Sequence, residues 1–170
     1  MRARIPNNIQ GSADFVRLDR IDRELVIALQ KNARTSNKDL AELVGLAPST
    51  CLERLRRLRE RGVLRGFHAD IDLGLLGRRT QAMLAVRLRA HDRELIDSFY
   101  RHVIDLPESV GVMHVSGGND YLIHVAVRDT EHLRALVLDQ ITARPEVEHV
   151  ETQLIFAHVR KQALEPLDDA

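Results

Sequence analysis

The chain has 170 residues and no net formal charge, 25 Lys and Arg standing against 25 Asp and Glu, with a single Cys and no Trp. One Cys excludes an internal disulfide and suits a reducing, cytoplasmic setting. No apolar run approaches the ~18–20 residues that cross a bilayer, and the scarcity of aromatic side chains argues against a single-strand binder that stacks bases.

Residues 1–17 are polar, with Pro6 and Gly11 and no apolar core of a signal peptide. They read as a loose, solvated arm, with contact of Arg2 and Arg4 with DNA as the alternative. Residues 20–31 then predict a helix capped by Asp19, with Ile21, Leu25, Ala28 and Leu29 on its inner stripe.

The segment SNKDLAELVGLAPSTCLERLRRLRER, residues 36–61, carries the densest signal. Ser36 can cap a helix with Asp39 as its capping-box partner. Leu40, Leu43 and Val44 follow at helical spacing, and Gly45 offers the left-handed backbone that ends a helix. Pro48 suits a first helical position, where a missing N–H costs nothing. The next helix runs to about Arg61, with Leu52, Leu55, Leu58 and Cys51 as its apolar side. Ser49, Thr50 and Arg54 lie near its start, where such helices meet base edges, and Arg57 and Arg61 extend the same face. Arg56, Arg59 and Arg65 suit phosphates, which position without reading sequence. The competing reading is a solvated amphipathic helix. After Gly62, VLRGFHADI alternates about a central glycine and predicts a two-strand wing. Residues 18–66 thus predict a winged helix-turn-helix, followed by a linker over 67–79.

Charge divides the chain at the same place. Residues 1–79 hold 16 Lys and Arg against 10 Asp and Glu, whereas residues 80–170 hold 9 against 15. A basic half beside an acidic half assigns a polyanionic partner, double-stranded DNA, to the first half only.

From Thr80 the period changes to two. Ala82, Leu84, Val86 and Leu88 alternate with Gln81, Met83, Ala85 and Arg87 and predict a strand. Residues 92–105 predict a helix with Leu95, Ile96, Phe99, Val103 and Leu106 inward, stopped by Pro107. VGVMHVS and YLIHVAV predict a hairpin across GGND. Thr130 opens a helix to about Thr142 with Leu133, Leu136, Val137 and Ile141 inward, and VEHVETQLIFAHV predicts the last strand. The order βαββαβ is the ferredoxin-like split motif, so the fold class is α+β, with residues 80–162 as the second domain and 163–170 as a tail. Helices cover one face of such a sheet. The other, with Leu122, His124 and Ala126, would be buried by a second copy across a two-fold axis, and a dimer would also present two recognition helices to two half-sites.

Eight His invite a metal or catalytic reading. None has a C-x-x-C, H-E-x-x-H or neighbouring carboxylate spacing, and no phosphate-binding glycine motif occurs. The expectation is no metal, no cofactor and no enzymatic activity. Gly117-Gly118 and Asn119-Asp120 are good turn pairs in their own right.

Taken together, LDRIDRELVIALQKNARTSNKDLAELVGLAPSTCLERLRRLRERGVLRGFHADID, VSGGNDYLIHVAV and VEHVETQLIFAHVRK resemble the Lrp/AsnC (leucine-responsive, feast/famine) family of transcription regulators, from about Leu18 to Lys161. The resemblance implies a sequence-specific DNA-binding regulator controlled by a small amino-acid effector held between sensor domains. It implies dimers that assemble further, as far as octamers. It places Ser116, Gly117, Gly118, Asn119, Asp120 and Tyr121, with Thr152 on the last strand, in the effector pocket. Glycines there let backbone N–H groups approach a carboxylate, and Asp120 could accept from an α-ammonium group. The chain departs from the family's pattern at Gly118, Asn119 and Val150-Glu151-Thr152. Two further readings stay open: an architectural DNA-binding protein with little sequence preference, and an amino-acid-binding subunit that uses the acidic half alone.

Overall fold

The computed structural model describes residues 17–89 and 93–167, and the chain divides into two compact units. Arg2 and Arg4 fall outside the described residues. One unit ends its first stretch at Asp70 and takes in the segment from Val159 on; the other spans Ile71–His158.

The first unit holds three helices, α1 (Arg20–Lys31), α2 (Asn37–Leu43) and α3 (Pro48–Glu60). Their ends follow from local chemistry. Asp19 caps α1 by accepting the Asp22 N–H at 2.8 Å. Ser36 caps α2 by accepting the Asp39 N–H at 3.2 Å while its hydroxyl donates to Asp39 Oδ2 at 2.8 Å. Gly45 and Gly62 adopt φ of 69° and 72° and close α2 and α3. In each case the next residue turns back, Leu46 N–H to Ala41 O and Val63 N–H to Leu58 O, both at 2.9 Å, which satisfies carbonyls that a helix end leaves orphaned. Pro48 occupies the first turn of α3.

Leu25, Leu29, Leu40, Ala41, Val44, Cys51 and Leu58 form the core of this unit. Leu43 and Leu52, expected inward, are 60 % and 59 % exposed. Ala41 and Cys51, close by in the chain, lie in the core. The two-strand wing expected over 63–71 is not formed. Val63 and Leu64 both bond back to Leu58 O, and residues 65–72 run exposed with no strand ladder. With both N–H groups turned back on α3, Val63 and Leu64 offer no donor to a hairpin ladder. The tail joins this unit: the Gln30 side chain donates to Leu164 O at 2.9 Å and accepts its N–H at 3.0 Å.

The second unit is an antiparallel sheet of β1 (Thr80–Leu88), β2 (Ser109–His114), β3 (Tyr121–Val127) and β4 (Val147–Leu154) in the order β2-β3-β1-β4. Helices α4 (Arg93–Asp105) and α5 (Thr130–Leu136) pack on one face, and α5 runs directly into a π-helical turn, Val137–Thr142. Thr142 Oγ1 donates to Val137 O and Leu138 O at 3.2 and 3.1 Å, partners for carbonyls in that turn. The alternation in β1 and β3 sends Ala82, Leu84, Val86, Leu88, Tyr121, Ile123, Val125 and Val127 into the core against Phe99, Val103, Leu133, Leu136 and Ile141. Leu95 stands 39 % exposed where an inward position was expected, and Tyr100 is buried in its stead. The last strand is shorter than its apolar pattern suggests: β4 stops at Leu154, and Phe156 and Val159 are 95 % and 91 % exposed.

Candidate DNA interface and effector loop

Three side chains orient α3. Cys51, Leu55 and Leu58, at i, i+4 and i+7, face the core of the unit. At about 100° per residue, the positions half a turn away are Ser49, Glu53, Arg56, Arg57 and Glu60. Ser49, Arg56, Arg57 and Glu60 are exposed and Glu53 half-buried. Thr50, also exposed, lies at the edge of this face.

Arg54 falls on the flank of this face. Its Nη1 donates to Asp19 Oδ2 at 2.6 Å and to Asp22 Oδ1 at 2.9 Å. Asp19 uses its other oxygen to cap α1. The two hydrogen bonds and two carboxylates hold the guanidinium above its ordinary value, and the Asp22 N–H with Arg54 holds the Asp19 carboxyl below its own. Arg54 therefore clamps the start of α1 to α3. Sequence spacing placed it with Thr50, Arg57 and Arg61, a face that packing moves to the side.

The outward face is a charge network. Arg56 grips Glu53 with two hydrogen bonds of 2.9 Å and also donates to Glu60 at 2.5 Å. Arg57 Nε donates to the same Glu53 carboxylate at 3.1 Å. With two guanidiniums beside it, the Glu53 carboxyl is held down to about 2. Arg59 lies over the Phe67 ring, 5.2 Å from its centre, a cation–π contact. Arg61 Nη2 donates to Arg17 O at 3.4 Å, and Arg65 is exposed. Sequence reading passed over Glu53. Its signal is the spacing of three and four residues to Arg56 and Arg57, where helical neighbours pair.

In the second unit, residues 116–120 form the turn between β2 and β3. Gly117 has a φ of 120°, which favours glycine. Val115 N–H bonds Asp120 O and Asp120 N–H bonds Val86 O, both at 2.9 Å, and Asp120 Oδ2 accepts the Leu88 N–H at 2.8 Å. Asp120 thus ties the turn to the end of β1. Ser116, Gly117 and Gly118 are exposed, and Asn119 is half-buried. Tyr121 is fully buried, its hydroxyl donating to Ile96 O at 3.1 Å and its ring stacked under His114 at 4.9 Å. Burial, with Asp97 and Asp120 nearby, pushes its phenol up to about 12. Its side chain is a core member, so it offers the turn a wall and no free polar group.

Thr152 is not brought to this turn. It pairs with Leu84, whereas the turn is held at Val86 and Leu88 on the far side of β1. One protomer alone leaves these residues on opposite sides of a strand. Among the described residues no group of three or more His, Cys, Asp or Glu is placed to hold a metal. His132 pairs with Glu108 at 3.0 Å, and His124 Nε2 donates to Gln81 Oε1 at 2.9 Å with the His158 ring edge-on at 5.6 Å.

A helix-turn-helix unit with an arginine-rich third helix, joined to a βαββαβ unit, defines a DNA-binding transcription regulator with a separate regulatory domain. A winged helix-turn-helix DNA-binding family model matches residues 18–65, and the Lrp/AsnC ligand binding domain matches residues 81–164. The chain belongs to the Lrp/AsnC family of transcriptional regulators. It is 47 % identical over 153 residues to the HTH-type transcriptional regulator AldR of Mycolicibacterium smegmatis, covering 88 % of this chain and 90 % of that one. It is 42 % identical over 146 residues to AldR of Mycobacterium tuberculosis, covering 86 % and 82 %. The crystal structure of a Neisseria meningitidis transcriptional regulator in complex with L-Met superposes with a TM-score of 0.79 at 27 % identity, covering 85 % of this chain and 94 % of that one. No helix among the described residues is long and apolar enough to cross a membrane.

Proposed function

We propose that this regulator responds to an amino acid bound at the β2–β3 turn and docks two copies of α3 on successive half-sites of DNA. The observation that carries the reading is the pairing of an outward-facing basic α3 with an exposed glycine turn that Asp120 ties to the end of β1. Ser116, Gly117 and Gly118 would receive the effector's carboxylate. Thr152 would come from a neighbouring subunit, because a single protomer keeps it away from the turn. The L-Met found with the Neisseria protein supports an amino acid as the ligand class.

Assembly follows from the sheet. Both helices cover the Ala82–Leu84–Val86 face, and the opposite face carries Met83, Leu122, Met113, Gln81 and His124. A second copy would bury these side chains across a two-fold axis. On DNA, Ser49 and Thr50 lie at the end of α3 that reaches base edges. Arg56, Arg57, Arg59 and Arg61 would neutralise phosphates. Arg54 is withdrawn from that set by its bonds to Asp19 and Asp22.

Fluorescence anisotropy tests the reading, with DNA from upstream of the protein's own gene against a scrambled fragment, each with and without single amino acids. Preferential binding to the upstream fragment, shifted by one amino acid, is the expected result. Equal binding to both fragments, indifferent to every amino acid, would favour an architectural DNA-binding role.

A further inference from the structure

On the outward face of α3, an acidic side chain sits where a DNA-reading surface has least use for one. Glu53 is the central residue of that face, one turn from Ser49 and flanked by Arg56 and Arg57. Carrying α3 into the major groove would bring its carboxylate among phosphates and base acceptors. Guanine N7 and O6 and thymine O4 would repel it; only the amino groups of cytosine N4 and adenine N6 can donate to it.

We propose that Glu53 is a specificity-determining residue, selecting an exocyclic amino group, cytosine N4 foremost, at one base position in each half-site. The inference rests on the reading that α3 enters the major groove. In free protein the carboxylate is satisfied by three hydrogen bonds from Arg56 and Arg57. Phosphate oxygens offer those guanidiniums the same fork geometry, so docking moves both arginines outward and leaves the carboxylate needing a donor. The right base supplies one. At the wrong base, Glu53 either faces an acceptor or keeps its arginines from the phosphates, and both cost affinity. Selection thus works largely by penalising the wrong sequence. The same network tempers binding to random DNA, because two of the exposed cations on the face are neutralised until a correct site is met.

The test is selection of bound duplexes from a random-sequence library by the full-length protein and by its Glu53→Ala and Glu53→Gln variants, followed by titration of the selected and random duplexes at several salt concentrations. The wild type is expected to select cytosine or adenine at one position per half-site. Glu53→Ala should lose at least about fivefold discrimination there and keep the rest of the motif. It should also bind random DNA more tightly, with a steeper salt dependence, since Arg57 is freed of Glu53 and Arg56 keeps only Glu60. Glu53→Gln should move the preference toward adenine, whose N6 and N7 an amide can bridge. A Glu53→Ala variant that selects the wild-type motif unchanged at every position overturns the inference and leaves Glu53 as a strut between two arginines. A wild-type protein that selects no motif at all overturns the sequence-specific reading itself.

Discussion

The two units solve the stability problem with different materials. Among the described residues, the sheet unit buries fifteen in one apolar core, Tyr121 and Phe99 among them, whereas the helical unit buries seven. A small core covers less of the entropy that folding costs, so the helical unit relies on caps, glycine closures and the Arg54 clamp. Polar residues there are structural as often as functional. In the sheet unit the larger apolar core carries more of the stability.

The sharpest way to break this contrast is to cut into the larger core. Phe99 is fully buried against Tyr121, with ring centres 5.3 Å apart. Phe99→Ala should cost the sheet unit about 3–5 kcal/mol, read by denaturant unfolding. A loss below about 0.5 kcal/mol, within the range of ordinary surface changes, would mean that the core does not carry that unit.

Asp120 comes next, because it stands between the two regimes. Asp120→Ala removes the partner of the Leu88 N–H, and leaving a buried donor unsatisfied costs about 1–3 kcal/mol. Asp120→Asn keeps an accepting oxygen and should restore most of that stability. If Asp120→Asn folds normally but no longer answers to an amino acid, the charge serves the effector. If it answers as the wild type does, Asp120 is a positioning residue for the turn. Unfolding curves and ligand-dependent DNA binding separate the two.

The same contrast explains what could be read from sequence. Helix ends were legible because each rests on one residue of special chemistry: Ser36, Gly45, Pro48 and Gly62 act through their own backbone or side chain. The β1 and β3 alternation was legible because a pleated strand has two faces and little freedom between them. Side-chain partners across elements were not. Spacing along α3 cannot show that Asp19 and Asp22, more than thirty residues away, claim Arg54. Nor can it show whether Leu52 or Cys51 faces α2. An apolar pattern also overran the ends of strands, as at Phe156 and Val159, since nothing local records where pairing stops. For the candidate site, the turn was visible as a glycine pair, but the anchoring of Asp120 on β1 depends on the sheet register.

Arg54→Ala sharpens the comparison in the helical unit. Both partners are carboxylates on α1, and Asp19 is about half exposed, so the loss should be modest, about 1 kcal/mol. DNA affinity should fall on operator and random duplexes alike, with base preference unchanged. Relaxed preference at one base position would return Arg54 to the reading surface.

The smallest effect should come from the open face of the sheet, where burial and the neighbouring His158 lower the His124 value from its ordinary 6.5. Its surroundings are set by Gln81 on β1 and the His158 ring, and among the described residues His158 is the one titratable neighbour that bears on it. In the folded state His124 resists protonation, whereas in the unfolded chain it takes up a proton near 6.5. The unfolded state therefore binds more protons in acid, and stability is lost as pH falls from above 6.5 through the lowered folded value. A second copy against this face would deepen the burial and enlarge the loss. Thermal melting of the wild type and of His124→Gln between neutral and mildly acidic pH reads the difference. The variant should show a shallower decline, and the gap between the two should widen with protein concentration if a second copy covers the face. A gap that appears but does not change with concentration would place the proton penalty within a single protomer, and equal declines would take His124 out of the acid response altogether.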